Sequence, residues 1–133
     1  MTPEQPSSCR GLVDAAFAQA FAAEWIASWN SHDLSRILSH YADDFEMFSP
    51  IIVQWLNEAE GVRRGKTRVA EYCQQGIASA RPPLRFELRH VFTGVGSITI
   101  VYESVGRSLA AEVLEFDASC RVIRGRAHYA ATV

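Results

Sequence analysis

Phe17, Phe21, Trp25 and Trp29 recur at every fourth position, with Ala18, Ala22 and Ile26 beside them. Residues four apart lie one turn above each other on an α-helix, so this stripe forms one apolar face. It predicts a helix from Asp14, a residue suited to N-capping, to about Asn30. Ser31-His32-Asp33 interrupts the pattern and caps a short second helix carrying Leu34, Ile37, Leu38 and Tyr41, closed by Ala42-Asp43-Asp44. Phe45-Glu46-Met47-Phe48 reads as a short strand that stops at Ser49-Pro50. Helical spacing returns at Ile51, Ile52, Trp55 and Leu56 in the 51–60 segment. A third long helix, Lys66 to about Ser79, is expected to bury Val69, Tyr72, Cys73 and Ile77 before Pro82-Pro83 ends it.

After Pro83 the period changes to two, the signature of strands. In the 84–94 run Phe86, Leu88, His90 and Phe92 fall on one face, and Arg85, Glu87, Arg89 and Val91 on the other. A β-branched run follows from Ser97 to Val105, and a turn at Val105-Gly106-Arg107 leads into the Ser108–Asp117 strand. There Glu112, Leu114 and Phe116 share a face. A carboxylate that points with Leu and Phe is paired, protonated or lining a cavity. The last strand spans Arg121 to Ala130. Three helices with one early strand, then a four-strand antiparallel meander, predict an α+β fold with the helices on one face of a curved sheet.

Composition narrows the function classes. At 133 residues the chain reads as one domain over 13–133, behind a disordered lead-in at 1–12 that contains two prolines and paired serines. The net charge of −2 disfavours nucleic acid as a partner. No apolar run approaches membrane-spanning length, and the start is polar rather than leader-like. Cys9, Cys73 and Cys120 are odd in number and far apart, without CxxC or zinc-ligand spacing. That usage points to a reduced, cytoplasmic setting and no metal. Gly61-Val62-Arg63-Arg64-Gly65-Lys66-Thr67 superficially suggests a phosphate loop, but only three residues separate its glycines and no strand leads directly into it. Its basic residues read as solvated surface.

Four segments carry a resemblance to a known family: Trp29-Asn30-Ser31-His32-Asp33-Leu34; Tyr41-Ala42-Asp43-Asp44-Phe45 with Ser49-Pro50; Gly65-Lys66; and Glu112-Val113-Leu114-Glu115-Phe116-Asp117 with Arg121 and His128-Tyr129-Ala130. In order and spacing they resemble the SnoaL-like branch of the superfamily shared by nuclear transport factor 2 and ketosteroid isomerase, over about Phe21 to Tyr129. The resemblance implies a cone (NTF2-like, or cystatin-like), in which a bent, mainly antiparallel sheet wraps three N-terminal helices around an apolar pocket. It also implies homodimers formed through the outer sheet face. Fold does not fix function.

Matched position by position, the resemblance puts Ser49 where the isomerase has its base, Trp25 where it has a tyrosine donor, and Glu112 where it has a protonated aspartate donor. A carboxylic acid held neutral to donate is that enzyme's device. Cys73 replaces a supporting tyrosine, while Tyr41 is retained. Serine does not take a proton from carbon unaided, so the isomerase reaction itself is not expected.

The candidate catalytic residue is therefore Glu112, as acid, base or donor. The expected ligand pocket comprises Trp25, Tyr41, Phe48, Ser49, Trp55, Tyr72, Leu114 and Tyr129. Tyr129 faces inward and His128 outward if the last strand keeps the family register; a slip of one residue exchanges them. Trp55, on the 51–60 segment, would lie near the mouth. His32-Asp33 offers a weaker dyad, because Asp33 already has a capping role. Two readings stay open: a cofactor-free enzyme acting on a small apolar molecule, and a non-catalytic binding or association domain.

Overall fold

The computed structural model describes residues 8–131, the side chain of Val105 apart. Helix α1 runs Ala15–Ser31. The Asp14 carboxylate accepts from the Phe17 amide at 3.0 Å and satisfies one of the open N–H groups of the first turn. The helix ends at His32, whose left-handed φ of 59° stops the spiral. His32 Nε2 lies 2.7 Å from the Leu84 carbonyl, and Asp33 caps the next helix, α2 (Leu34–Leu38). His32 and Asp33 thus both hold a corner, and they form no dyad.

Strand β1 (Tyr41–Phe48), helix α3 (Pro50–Leu56), strand β2 (Val62–Arg64) and helix α4 (Lys66–Ser79) follow. Then come β3 (Glu87–Thr93), β4 (Ser97–Glu103), a 3-10 turn (Val105–Arg107), β5 (Leu109–Phe116) and β6 (Val122–Tyr129). The six strands form one sheet in the order β2-β1-β6-β5-β4-β3, antiparallel except for the β1–β6 pair. The α+β class and the curved sheet agree with the sequence reading.

Four local expectations change. Tyr41 opens β1 instead of extending α2, because its strand pairs with β6 at Val122. Val62–Arg64, read as a basic loop, pairs with Glu46–Phe48 as an edge strand. In β3 the pairing slips between Leu88 and His90, a bulge that shifts the alternation by one. Val91 therefore faces the core opposite Ile100, and Phe92, expected inside, is 57% exposed. Part of the expected lead-in lies at 1–7, outside the described residues. Cys9, however, is only 1% exposed and bonded to Cys120, and Val13 donates its amide to the Gly94 carbonyl at 3.1 Å. The disulfide also runs against the reduced setting expected from the three scattered cysteines. Cys73 remains free and buried. Among the described residues no helix is long and apolar enough to cross a membrane, and no cluster could hold a metal ion.

The α1 stripe packs across β5 and β4. Phe17 and Phe21 meet the Phe116 ring edge-on at 5.6 and 5.2 Å, and Trp25 meets Tyr102 at 5.4 Å. Asn30 joins α1 to the strand side by a pair of hydrogen bonds to the Phe86 backbone: its Nδ2 donates to the carbonyl at 2.9 Å and its Oδ1 accepts from the amide at 2.7 Å. Gly125 on β6 lets this core close. A Cβ there would stand 3.1 Å from Phe45 Cζ and 3.3 Å from Leu114 Cδ2. Both side chains are fully buried and have little room to yield. Gly125→Ala is expected to destabilise by about 1–3 kcal/mol through overpacking, measured by urea unfolding; an unchanged midpoint would show that Phe45 can move.

Candidate functional site

Between α1, α3, α4 and the inner face of the sheet lies a cavity of about 260 Å³. Glu112 enters it from β5, paired with Ile100 on one side and Ala127 on the other. Its same-face neighbours Ala110, Leu114 and Phe116 are buried, so strand alternation fixes its direction. The Tyr102 hydroxyl donates to Glu112 Oε1 at 3.1 Å. Among the described residues no cation pairs with this carboxylate, although Glu24, Glu46, Glu103 and Glu115 all have an arginine partner. Burial without a counter-charge pushes the Glu112 pKa up to about 7, and the Tyr102 hydrogen bond only partly opposes this.

The same burial, reinforced by the nearby Glu112 charge, raises Cys73 to about 12 and Tyr129 to about 12, and raises Tyr102 and Tyr72 as well. All four stay protonated near neutrality. Cys73, on the cavity wall, is therefore an unreactive thiol.

Ser49 caps α3, its Oγ accepting from the Ile51 amide at 3.1 Å. Ser49 also partly offsets the rise in the pKa of Tyr72 and Tyr129. Tyr129 pairs with buried Ala110 and faces the cavity, whereas His128 pairs with Ala111 on the other face of the sheet. Trp55 stands 46% exposed at the mouth, its ring 6.2 Å from that of Tyr72.

The structure thus brings Glu112 together with Trp25, Ser49, Trp55, Tyr72 and Tyr129 at one cavity. Three expected wall residues lie elsewhere. Tyr41 sits behind Trp25, accepting from its Nε1 at 3.3 Å and stacked on Phe45 at 4.1 Å. Phe48 does not line the cavity; the Arg126 guanidinium covers its ring at 4.1 Å. Leu114 is core, pressed against the Gly125 backbone. Sequence reasoning missed Tyr102 and Phe86, which line the wall with their rings tilted against each other, centroids 4.5 Å apart. Alternation along β4, with Ile98, Ile100 and Tyr102 on the buried face, carried the signal for Tyr102.

Three solved structures are similar to this chain. A SnoaL-like protein of unknown function from Burkholderia thailandensis E264 is 46% identical, with a TM-score of 0.86 over 90% of this chain and 99% of that one. A protein of unknown function with a cystatin-like fold from Methylobium petroleophilum PM1 is 15% identical, with a TM-score of 0.70 over 92% of this chain and 81% of that one. The epoxide hydrolase/cyclase-like enzyme SalBIII, of pyran ring formation in the polyether salinomycin, is 15% identical, with a TM-score of 0.68 over 88% of this chain and 93% of that one. No curated protein matches. The family model for the SnoaL-like domain matches residues 22–131, and with the strand order, the cavity and the inward Glu112 already described, the chain belongs to the SnoaL-like domain family.

Proposed function

We propose that the protein is a cofactor-free acid/base enzyme of isomerase, cyclase or hydrolase type. Its ligand is an apolar molecule of polyketide, steroid or terpenoid kind, and Glu112 moves the proton. One observation carries this reading: a carboxylate without a cation partner points into an apolar, aromatic-walled cavity. Such a group can take up and release a proton near neutral pH. The cyclase-like chemistry of a similarly folded enzyme supports the reaction class only by analogy.

Ser49 and Trp25, standing at the expected base and donor positions, favour the non-catalytic reading. Proton exchange separates the two. α-Tetralone incubated with the protein in deuterium oxide should lose its α-proton NMR signals faster with wild type than with Glu112→Gln. A panel of one- and two-ring epoxides would test the hydrolase type in the same way. If wild type and variant are equally inert on every compound, the protein is a binding module.

A further inference from the structure

What Glu112 can do depends on which of its two oxygens is free. Across the sheet Tyr102 pairs with Ala110, and Ile100 pairs with Glu112. Tyr102 is therefore the diagonal neighbour of Glu112 on the inner face, a separation that an aromatic and a long side chain can bridge. The bridge is the Tyr102 hydroxyl, which donates to Oε1 at 3.1 Å. Among the described residues neither Oε2 nor the Tyr102 hydroxyl has another hydrogen-bond partner. No other polar group of the wall shares the task. Among the described residues Ser49, Tyr72, Cys73 and Tyr129 make no hydrogen bond to Glu112, and Trp29 Nε1, on the same wall, is buried without a partner.

The phenol itself is held in place. Tyr102 is 2% exposed, and its ring packs against Trp25 at 5.4 Å and Phe86 at 4.5 Å. The Phe86 backbone is tied in turn to Asn30 on α1. A carboxyl group alone in a cavity turns easily about its last bond, and a fixed donor on one oxygen removes that freedom. The proton is fixed as well. The Tyr102 proton goes to Oε1, so when Glu112 is neutral its own proton sits on Oε2. Neutral Glu112 then presents an O–H donor at Oε2, and ionised Glu112 presents a lone pair at the same atom.

From this geometry we infer that Tyr102 is the positioning residue of the site: by holding Oε1 it makes Oε2 the single atom that exchanges a proton with the ligand. This rests on the acid/base reading of the cavity and names its acting atom. The ligand accordingly brings to Oε2 either a C–H next to a carbonyl or an oxygen that takes up a proton, such as that of an epoxide.

The first test needs no ligand. Glu112 is titrated through its carboxyl carbon by NMR, with Glu112→Gln identifying the signal. The titratable groups that face it are Tyr41 from β1, Tyr72 and Cys73 from α4, Tyr102 from β4 and Tyr129 from β6; burial raises each of them, so all stay protonated across its transition. The wild-type midpoint is expected at about 7. The Tyr102 bond favours the ionised form, so Tyr102→Phe, which keeps the ring and loses the donor, should raise the midpoint to about 8. Tyr129→Phe removes a facing hydroxyl that makes no such bond and should leave the midpoint in place. Should Tyr102→Phe fail to fold, wild type answers by itself: the Tyr102 Cζ signal should move at the Glu112 midpoint, because the bond strengthens as the carboxyl ionises.

The second test reads position. At about pH 9.5 Glu112 is ionised in wild type and variant alike. With α-tetralone in deuterium oxide, Oε2 takes the α-proton, the electron pair passes to the carbonyl oxygen, and Oε2 returns a deuteron to the carbon. The Tyr102→Phe carboxylate is the stronger base, so slower exchange comes only from poorer placement. The expected result is a kcat lower by about ten- to a hundredfold with KM little changed. A Tyr102→Phe midpoint equal to wild type overturns the inference, as does an equal rise in Tyr129→Phe, which marks a general polarity effect. A raised midpoint with exchange as fast as wild type shows that Tyr102 tunes the proton affinity without placing the oxygen, and overturns it too. If wild type exchanges nothing, the acid/base reading falls; a raised midpoint then still assigns Oε1 to Tyr102, and an unchanged one removes both.

Discussion

Glu112→Gln is expected to lower turnover by about 10²- to 10⁴-fold and, above neutral pH, to make the protein more stable. Both effects follow from one desolvated carboxylate. Its ordinary value is 4.5 and its folded value about 7. Between these two pH values the unfolded chain has released the Glu112 proton while the folded chain still holds it. The folded state binds more protons there, so wild-type stability falls as pH rises from about 4.5 to about 7 and is level above. The loss amounts to about 3 kcal/mol at most. Gln keeps the shape and an oxygen for the Tyr102 hydroxyl, and it has no charge to desolvate. Urea unfolding at a series of pH values from acid to mildly alkaline should show the variant gaining on wild type as pH rises. A difference that does not change with pH would mean that Glu112 is not held above its ordinary value. In the kinetic arm, a base-dependent step should rise with pH and level off above about 7.

Loss of the Cys9–Cys120 disulfide is the second large effect. The bond joins the segment before α1 to the β5–β6 turn across a sequence separation of 111. Closing so long a loop removes much of the unfolded chain's freedom, by about 4–5 kcal/mol in the chain-entropy account, with typical measured values of about 2–4 kcal/mol. Cys9→Ser, Cys120→Ser or reduction should each destabilise within that range, and the three should agree because each opens the same loop. Thiol titration of the purified protein should find one free thiol, Cys73, reacting only on unfolding, since it is buried and its pKa is raised. Three reactive thiols in the unfolded, unreduced protein would overturn the pairing. Bonds of this kind persist in oxidising surroundings, and this one weighs against the reduced setting expected from an odd, scattered set of cysteines.

What could be read without a structure was local and periodic. The α1 stripe follows from the helical repeat, and the inward direction of Glu112 follows from Leu114 and Phe116 two and four residues on. The segment order, with its resemblance, was enough to identify an α+β cone with a pocket and to place Ser49, Trp55 and Tyr72 near it.

Contacts between distant segments decided the rest. Tyr129, not His128, faces the cavity because β6 pairs Tyr129 with Ala110, and a slip of one residue would have reversed that choice. The β3 bulge exchanged Val91 for Phe92 without any local mark in the sequence. Phe48 looked like a wall residue by hydrophobicity alone, yet its ring lies under Arg126, supplied by a strand far along the chain. Cys9 and Cys120 meet only once α1 and the meander have closed over the core. Ser49, Tyr72 and Tyr129 line one cavity only because three separate elements converge there. Periodicity records which way a side chain leaves its own element. It carries no information on what another element brings opposite, and the chemistry of this cavity depends on that.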